Sequence, residues 1–68
     1  MELRIEVERE VDGRWIAEVV ELPGVLAYGA TREAAIVAAK VLALRVVADK
    51  LEHGEIEAKV SGVSFIAP

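Results

Sequence analysis

TREAAIVAAKVLALRVVADKLEHG, running from Thr31 to Gly54, decides the fold. No Gly or Pro interrupts it before the final residue, and Ala, Leu, Val and Ile dominate. Thr31 is a natural N-cap, and Glu33 suits the positive end of a helix dipole. Gly54 supplies a left-handed stop, with Lys50 and His53 in the last turn. The segment therefore reads as one long helix. At about 100° per residue, Ala35, Ile36, Ala39, Leu42, Ala43 and Val46 share one stripe, which should pack on a sheet. Val37, Val41, Leu44 and Ala48 form a second stripe, spaced i, i+4, i+7 and i+11. Lys40 and Glu33 separate the stripes on one side; Arg45, Asp49 and Glu52 lie toward the other. One subunit with a small sheet cannot bury both stripes. Scattered surface apolar atoms are the ordinary explanation for such a pattern. A continuous stripe instead marks Val37, Val41, Leu44 and Ala48 as a contact with another chain, most simply a homo-oligomer.

The segment before the helix reads as strands. Leu3, Ile5 and Val7 alternate with Arg4, Glu6 and Glu8, giving a strand to Arg9 with one buried and one wet face. Arg14 to Glu21 reads as a second strand. A two-residue turn at Asp12 and Gly13 would set Val7 opposite Glu18 and mix apolar with charged groups. A three-residue loop of Val11, Asp12 and Gly13, with Gly13 left-handed, sets Val7 opposite Ala17 and Ile5 opposite Val19. The pattern selects the second register. Trp15 then lies near Arg9 at the end of the inner face. Ile16 and Val20 fall on the outer face beside Glu6, Glu8 and Glu18. Leu22-Pro23-Gly24 makes a turn of type II, Val25 to Tyr28 a short third strand, and Gly29-Ala30 a turn into Thr31. After the helix, Glu55 to Lys59 alternates weakly. Val60 to Ile66 is a better strand, with Gly62 marking a bulge. The expected class is α+β: a single domain over residues 1–68, with a three- to four-stranded, mostly antiparallel sheet and one long helix on one face, in the order β-β-β-α-β.

Composition narrows the function. A chain of 68 residues has room for one small core and is marginal alone. It has no Cys, so neither a disulfide nor a thiolate metal site supports it, and self-association is the common remaining route. A net charge of −4 argues against direct nucleic-acid binding and suits a basic protein partner. Charges at Lys40, Arg45, Asp49 and Lys50 interrupt the helix, so it is not a membrane span. No signal peptide is legible, and a cytoplasmic location is expected. Asn and Gln are absent and the charge is mostly Glu and Arg, a composition compatible with a thermophilic source.

Catalytic signals are sparse. His53 is the sole histidine and reads as a C-terminal helix residue, so no histidine cluster for a metal is expected. Glu6, Glu8 and Glu18 on a sheet face are explained by solvation. A carboxylate-only hydrolase of nucleic acid would need a cleft and a phosphate clamp that the sequence does not suggest. Gly24 and Gly29 have the spacing of turn glycines, not of a phosphate loop. Trp15 and Tyr28 read as core or sheet-edge aromatics, with an interface role as the alternative. No catalytic residue, cofactor or metal is assigned.

Three segments taken together resemble the N-terminal domain of HicB-type antitoxins. They are Asp12-Gly13-Arg14-Trp15-Ile16-Ala17-Glu18-Val19, Glu21-Leu22-Pro23-Gly24, and Tyr28-Gly29-Ala30-Thr31-Arg32-Glu33-Ala34-Ala35. Each piece is ordinary turn or cap chemistry; the order and spacing carry the likeness, over about residues 3 to 54. The resemblance implies structural roles for Asp12, Gly13, Trp15, Pro23, Gly24, Gly29 and Thr31. It also implies a non-catalytic protein that masks a small basic RNase toxin of the HicA type. Glu6, Glu8, Ile16, Glu18 and Val20 are then the candidate toxin-facing surface. Val20 replaces the usual proline, Ala30 a frequent acidic residue and Ala34 a frequent glutamate. Val37, Val41 and Leu44 are apolar where the family helix is commonly polar. Complete family members often add a DNA-binding segment that represses their own operon; none is legible up to Pro68, so direct nucleic-acid binding is not expected, and a role in autoregulation is left open by the sequence. The other reading is an orphan oligomerising domain without a toxin partner.

Overall fold

A computed structural model describes residues 1–56 and 62–68. Strand β1 is Glu2–Arg9 and β2 is Trp15–Val19. They pair antiparallel with Val7 opposite Ala17 and Ile5 opposite Val19, the register that keeps apolar side chains on one face. The connecting loop is the expected one. Gly13 N–H donates to the Glu10 carbonyl at 3.0 Å, Glu10 N–H donates to the Arg14 carbonyl at 2.7 Å, and Gly13 adopts φ +92°. Asp12 supports the loop, its carboxylate accepting from Arg14 N–H at 3.1 Å and Arg14 Nε at 2.7 Å.

The second strand is shorter than the alternation of Arg14 to Glu21 suggests. Leu22 N–H donates to the Val19 carbonyl at 3.1 Å, so the chain turns directly after Val19. Val20 N–H still reaches the Arg4 carbonyl at 3.0 Å. In return, Arg4 N–H donates at 2.7 Å to Oε1 of Glu21, while Arg4 Nε holds Oε2 at 2.8 Å. A side-chain carboxylate thus completes the ladder where the strand departs. Val25 N–H then closes onto the Leu22 carbonyl at 3.0 Å with Gly24 at φ +84°, as the Leu22-Pro23-Gly24 turn requires.

Strand β3, Leu26–Gly29, pairs antiparallel with β2, and the helix α1 spans Arg32–Glu52. Thr31 caps it, its hydroxyl accepting from Ala34 N–H at 3.0 Å. At the other end Glu55 N–H donates to the Lys50 carbonyl at 2.8 Å and Gly54 N–H to Leu51 at 3.3 Å, with Gly54 at φ +69°. This is a Schellman ending. The face on the sheet buries Ala35, Ile36, Ala39, Ala43 and Val47, with Leu42 and Val46 partly buried beside them. Val47 belongs to the seat although the stripe read from the sequence omits it.

Strand β4, Ser64–Ile66, completes a sheet of order β3-β2-β1-β4 and runs parallel to β1. The sheet is therefore mixed, antiparallel through its first three strands. Of the strand expected from Val60 to Ile66, Ser64–Ile66 is strand and Gly62 and Val63 lie before it, so Gly62 marks no bulge within it; Ser61 lies outside the described residues. Of the weak alternation from Glu55 to Lys59, Glu55 and Ile56 form a bend, with Ile56 against the core; the remainder lies outside the described residues, as does Val60. The core sits between helix and sheet: Leu3, Ile5, Ala17, Val19, Leu22 and Val25 meet the helix face, flanked by Val7, Trp15 and Phe65.

Gly29 is more than a turn residue. A Cβ there would lie 2.4 Å from the Ala35 nitrogen and 2.8 Å from the Ala34 carbonyl carbon, both backbone atoms of the first helical turn. Gly29→Ala should therefore destabilise the fold by about 1–3 kcal/mol through forced separation of helix and strand. Urea denaturation checks this, and an unchanged midpoint would refute the close seat.

Candidate functional site

The helix covers one face of the sheet and leaves the other open. Pleating places Glu6 and Glu8 from β1, Ile16 and Glu18 from β2, and Leu26 and Tyr28 from β3 on that open face. The pairings set Glu6 directly opposite Glu18, Glu8 opposite Ile16, Ile16 opposite Tyr28 and Glu18 opposite Leu26. Glu6, Val7, Glu8, Glu10, Ile16 and Glu18 line a shallow groove of about 400 Å³. Leu26 and Tyr28 extend its apolar side and are 37% and 46% exposed.

The groove is acidic, and the Arg4 guanidinium on the same face interacts with Glu6 without contacting it. Directly opposed like charges disfavour a strand pair. Arg4 and Arg14 flank the groove on the open face, each held by a carboxylate outside it. Arg4 is held by Glu21, Arg14 by Asp12 with its guanidinium 4.5 Å over the Tyr28 ring, and Arg9 lies 5.9 Å over the Trp15 ring. None of the ion pairs among the described residues reaches Glu6, Glu8, Glu10 or Glu18. The lining is Glu, Val and Ile, so carboxylates are its ionisable groups, and they attract cations beside an apolar strip.

The sequence-based surface is brought together in part. Glu6, Glu8, Ile16 and Glu18 converge. Val20 lies past the end of β2, half-buried, and does not line the groove. Glu10 and Leu26 join the surface although sequence reasoning missed them, and Tyr28 joins it as an exposed aromatic. The signal for Leu26 and Tyr28 was the alternation of β3, unusable until the strand order was known, and that for Glu10 was the continuation of the Glu6 and Glu8 alternation past the end of β1. The second helix stripe lies on the opposite side of the molecule: Val37, Val41 and Leu44 are 59%, 45% and 48% exposed, and Ala48 is also exposed.

One other group of possible ligands stands at the end of α1. Atoms of Asp49, His53 and Glu55 lie within 4.8 Å of one another, all on exposed residues. His53 Nδ1 is 2.8 Å from the Asp49 carbonyl oxygen and 3.3 Å from its carboxylate, so capping geometry accounts for its position. Among the described residues no helix is long and apolar enough to cross a membrane. The chain matches no protein-family model, no curated protein and no solved structure.

Two carboxyls outside the groove are held below their ordinary values by arginine hydrogen bonds. The side-chain hydrogen bond from Arg4, with that from its backbone N–H, holds Glu21 below its ordinary value of 4.5. The Arg14 backbone N–H, reinforced by its guanidinium, likewise holds Asp12 below 3.8. A carboxyl with a lowered folded-state value stabilises the fold above its ordinary value, and that contribution disappears as pH falls through the lowered one. Stability should thus decline as pH drops below about 4.5. Glu21→Gln should lower stability at neutral pH and flatten the decline, as read by thermal melts at neutral and acidic pH. An acid limb as steep as wild type would remove Glu21 from this role.

Proposed function

We propose that this domain is a non-catalytic binding module whose open sheet face takes a basic protein partner. The resemblance to HicB-type antitoxins makes that partner a small basic RNase toxin of the HicA type, whose RNA-binding surface the domain would cover. One observation carries the reading: Glu6 stands opposite Glu18 on a face that no described element covers, with Glu8 alongside and no described ion pair to either. Such an arrangement costs the isolated chain stability, and a partner's Lys or Arg side chains would relieve it. Ile16, Leu26 and Tyr28 would supply the apolar part of the contact, and Tyr28 has the amphipathic shape common in interface anchors. Masking would be steric and electrostatic, with no bond made or broken.

The reading predicts opposite effects on stability and binding from one substitution. Glu18→Lys turns the repulsive pair with Glu6 into an attractive one and should stabilise the free domain by about 0.2–1 kcal/mol. The same change should slow partner association and weaken it most at low salt. Wild-type and Glu18→Lys baits, loaded with lysate of the source organism and eluted in salt steps, provide the partner. The recovered protein is then assayed for RNA cleavage with and without the domain. A small basic ribonuclease retained by wild type alone, and inhibited by it, is the expected result. Equal retention by both baits, or cleavage unaffected by the domain, would overturn the reading.

A further inference from the structure

The exposed side of α1 is longer and more regular than its four central residues indicate. Ala34, Val37, Val41, Leu44, Ala48 and Leu51 are all exposed, Leu51 at 42%. They recur at alternating steps of three and four residues from the first helical turn to the last. That is the a/d spacing of a coiled-coil seam, and it lies apart from the buried seat formed by Ala35, Ile36, Ala39, Ala43 and Val47. A helix of 21 residues gives the seam a length of about 31 Å.

We infer that this seam is the interface of a symmetric homodimer in which two copies of α1 pack antiparallel. Its spacing reads the same in both directions, so the seam is its own complement about a two-fold axis between Leu42 and Ala43. That axis sets Ala34 against Leu51 of the second copy, Val37 against Ala48, and Val41 against Leu44. Every layer then joins a smaller side chain to a larger one, which keeps the layers evenly filled. Parallel packing would set each Ala against itself and leave thin layers at Ala34 and Ala48. It would also bring Lys40 of one copy against Arg45 of the other on both flanks, whereas antiparallel packing puts these cations on opposite flanks. Lys40 is already turned over the Phe65 ring, its Nζ 5.6 Å from the centroid, which leaves the seam clear on that side.

The area is adequate for a second copy. Fully buried, the six seam residues with the aliphatic stems of Arg45 and Glu52 would remove on the order of 1,000 Å² in total, the threshold size of a biological interface and the range of weak dimers. The second copy would also cover apolar surface that the described residues leave exposed at Val37, Val41, Leu44 and Leu51. The open sheet face lies on the far side of each subunit, so this inference stands independently of the proposed function.

Sedimentation equilibrium on the full chain tests the state, and cysteine pairing tests the geometry. Wild type should sediment at twice the chain mass. Leu44→Glu should weaken dimerisation by at least about a hundredfold, because it places a carboxylate in both central layers. Leu44 is half-exposed in the single chain, so the variant should keep its helical circular dichroism. The chain has no native Cys, so introduced thiols report without background. Mixed Val37→Cys and Ala48→Cys chains should form a disulfide-linked heterodimer under mild oxidation, and Val37→Cys alone should not link. A wild-type chain that remains monomeric at about 1 mM would overturn the inference and leave the stripe to a different protein. So would a dimer that folded Leu44→Glu leaves intact, which would place the contact elsewhere. Efficient self-linking of Val37→Cys would overturn the antiparallel arrangement.

Discussion

The whole domain depends on how closely α1 can approach the sheet. Ala17, Ala35, Ala39 and Ala43 are completely buried between the layers, and Gly29 meets the backbone of the first helical turn. Small side chains at these points let the helix axis drop toward β2 and β3, so larger groups can close the sides of the core. Leu3 and Val19 are its largest fully buried side chains. This mode of packing suits a short chain, because close contact recovers dispersion energy that a thin core would otherwise lack. It also commits one narrow face of the helix and leaves its far side to solvent.

A second constraint acts at the sheet's exit. After Val19 the chain leaves β2, and a backbone donor of β1 would lose its partner. Glu21 replaces that partner with a carboxylate and simultaneously holds the Arg4 guanidinium. The arrangement satisfies the ladder and ties the Arg4 guanidinium first to Glu21, leaving Glu6, two residues along the same face, only a weaker interaction with it. Asp12 does the same to Arg14 at the opposite end. The acidity of the groove therefore follows from how the fold uses its arginines, as much as from its glutamates.

The two surfaces left unfinished by this architecture differ in chemistry. The sheet face combines opposed carboxylates with Ile16, Leu26 and Tyr28. The helix face carries only aliphatic groups along its seam. One is suited to a charged partner and the other to an apolar one, and they point away from each other. A small domain with two such faces can join two different contacts without either blocking the other, which is consistent with the binding role proposed for it.

Much of the fold was legible because it is encoded by local periodicity. The alternation of Leu3, Ile5 and Val7 against Ala17 and Val19 determined the hairpin register, since a one-residue slip would invert every side chain. Thr31 and Gly54 marked the helix ends through capping chemistry, and Pro23-Gly24 marked the turn. The acidic half of the candidate site followed from the same alternation. Only the tertiary structure decided the rest. That β4 pairs in parallel with β1, that Gly29 must lack a side chain, that Val47 joins the seat, and that Glu21 completes a ladder all depend on neighbours distant in the chain. Leu26 and Tyr28 entered the site for the same reason: a strand's face is written in its own sequence, but the strand beside it is chosen by the packing of the whole.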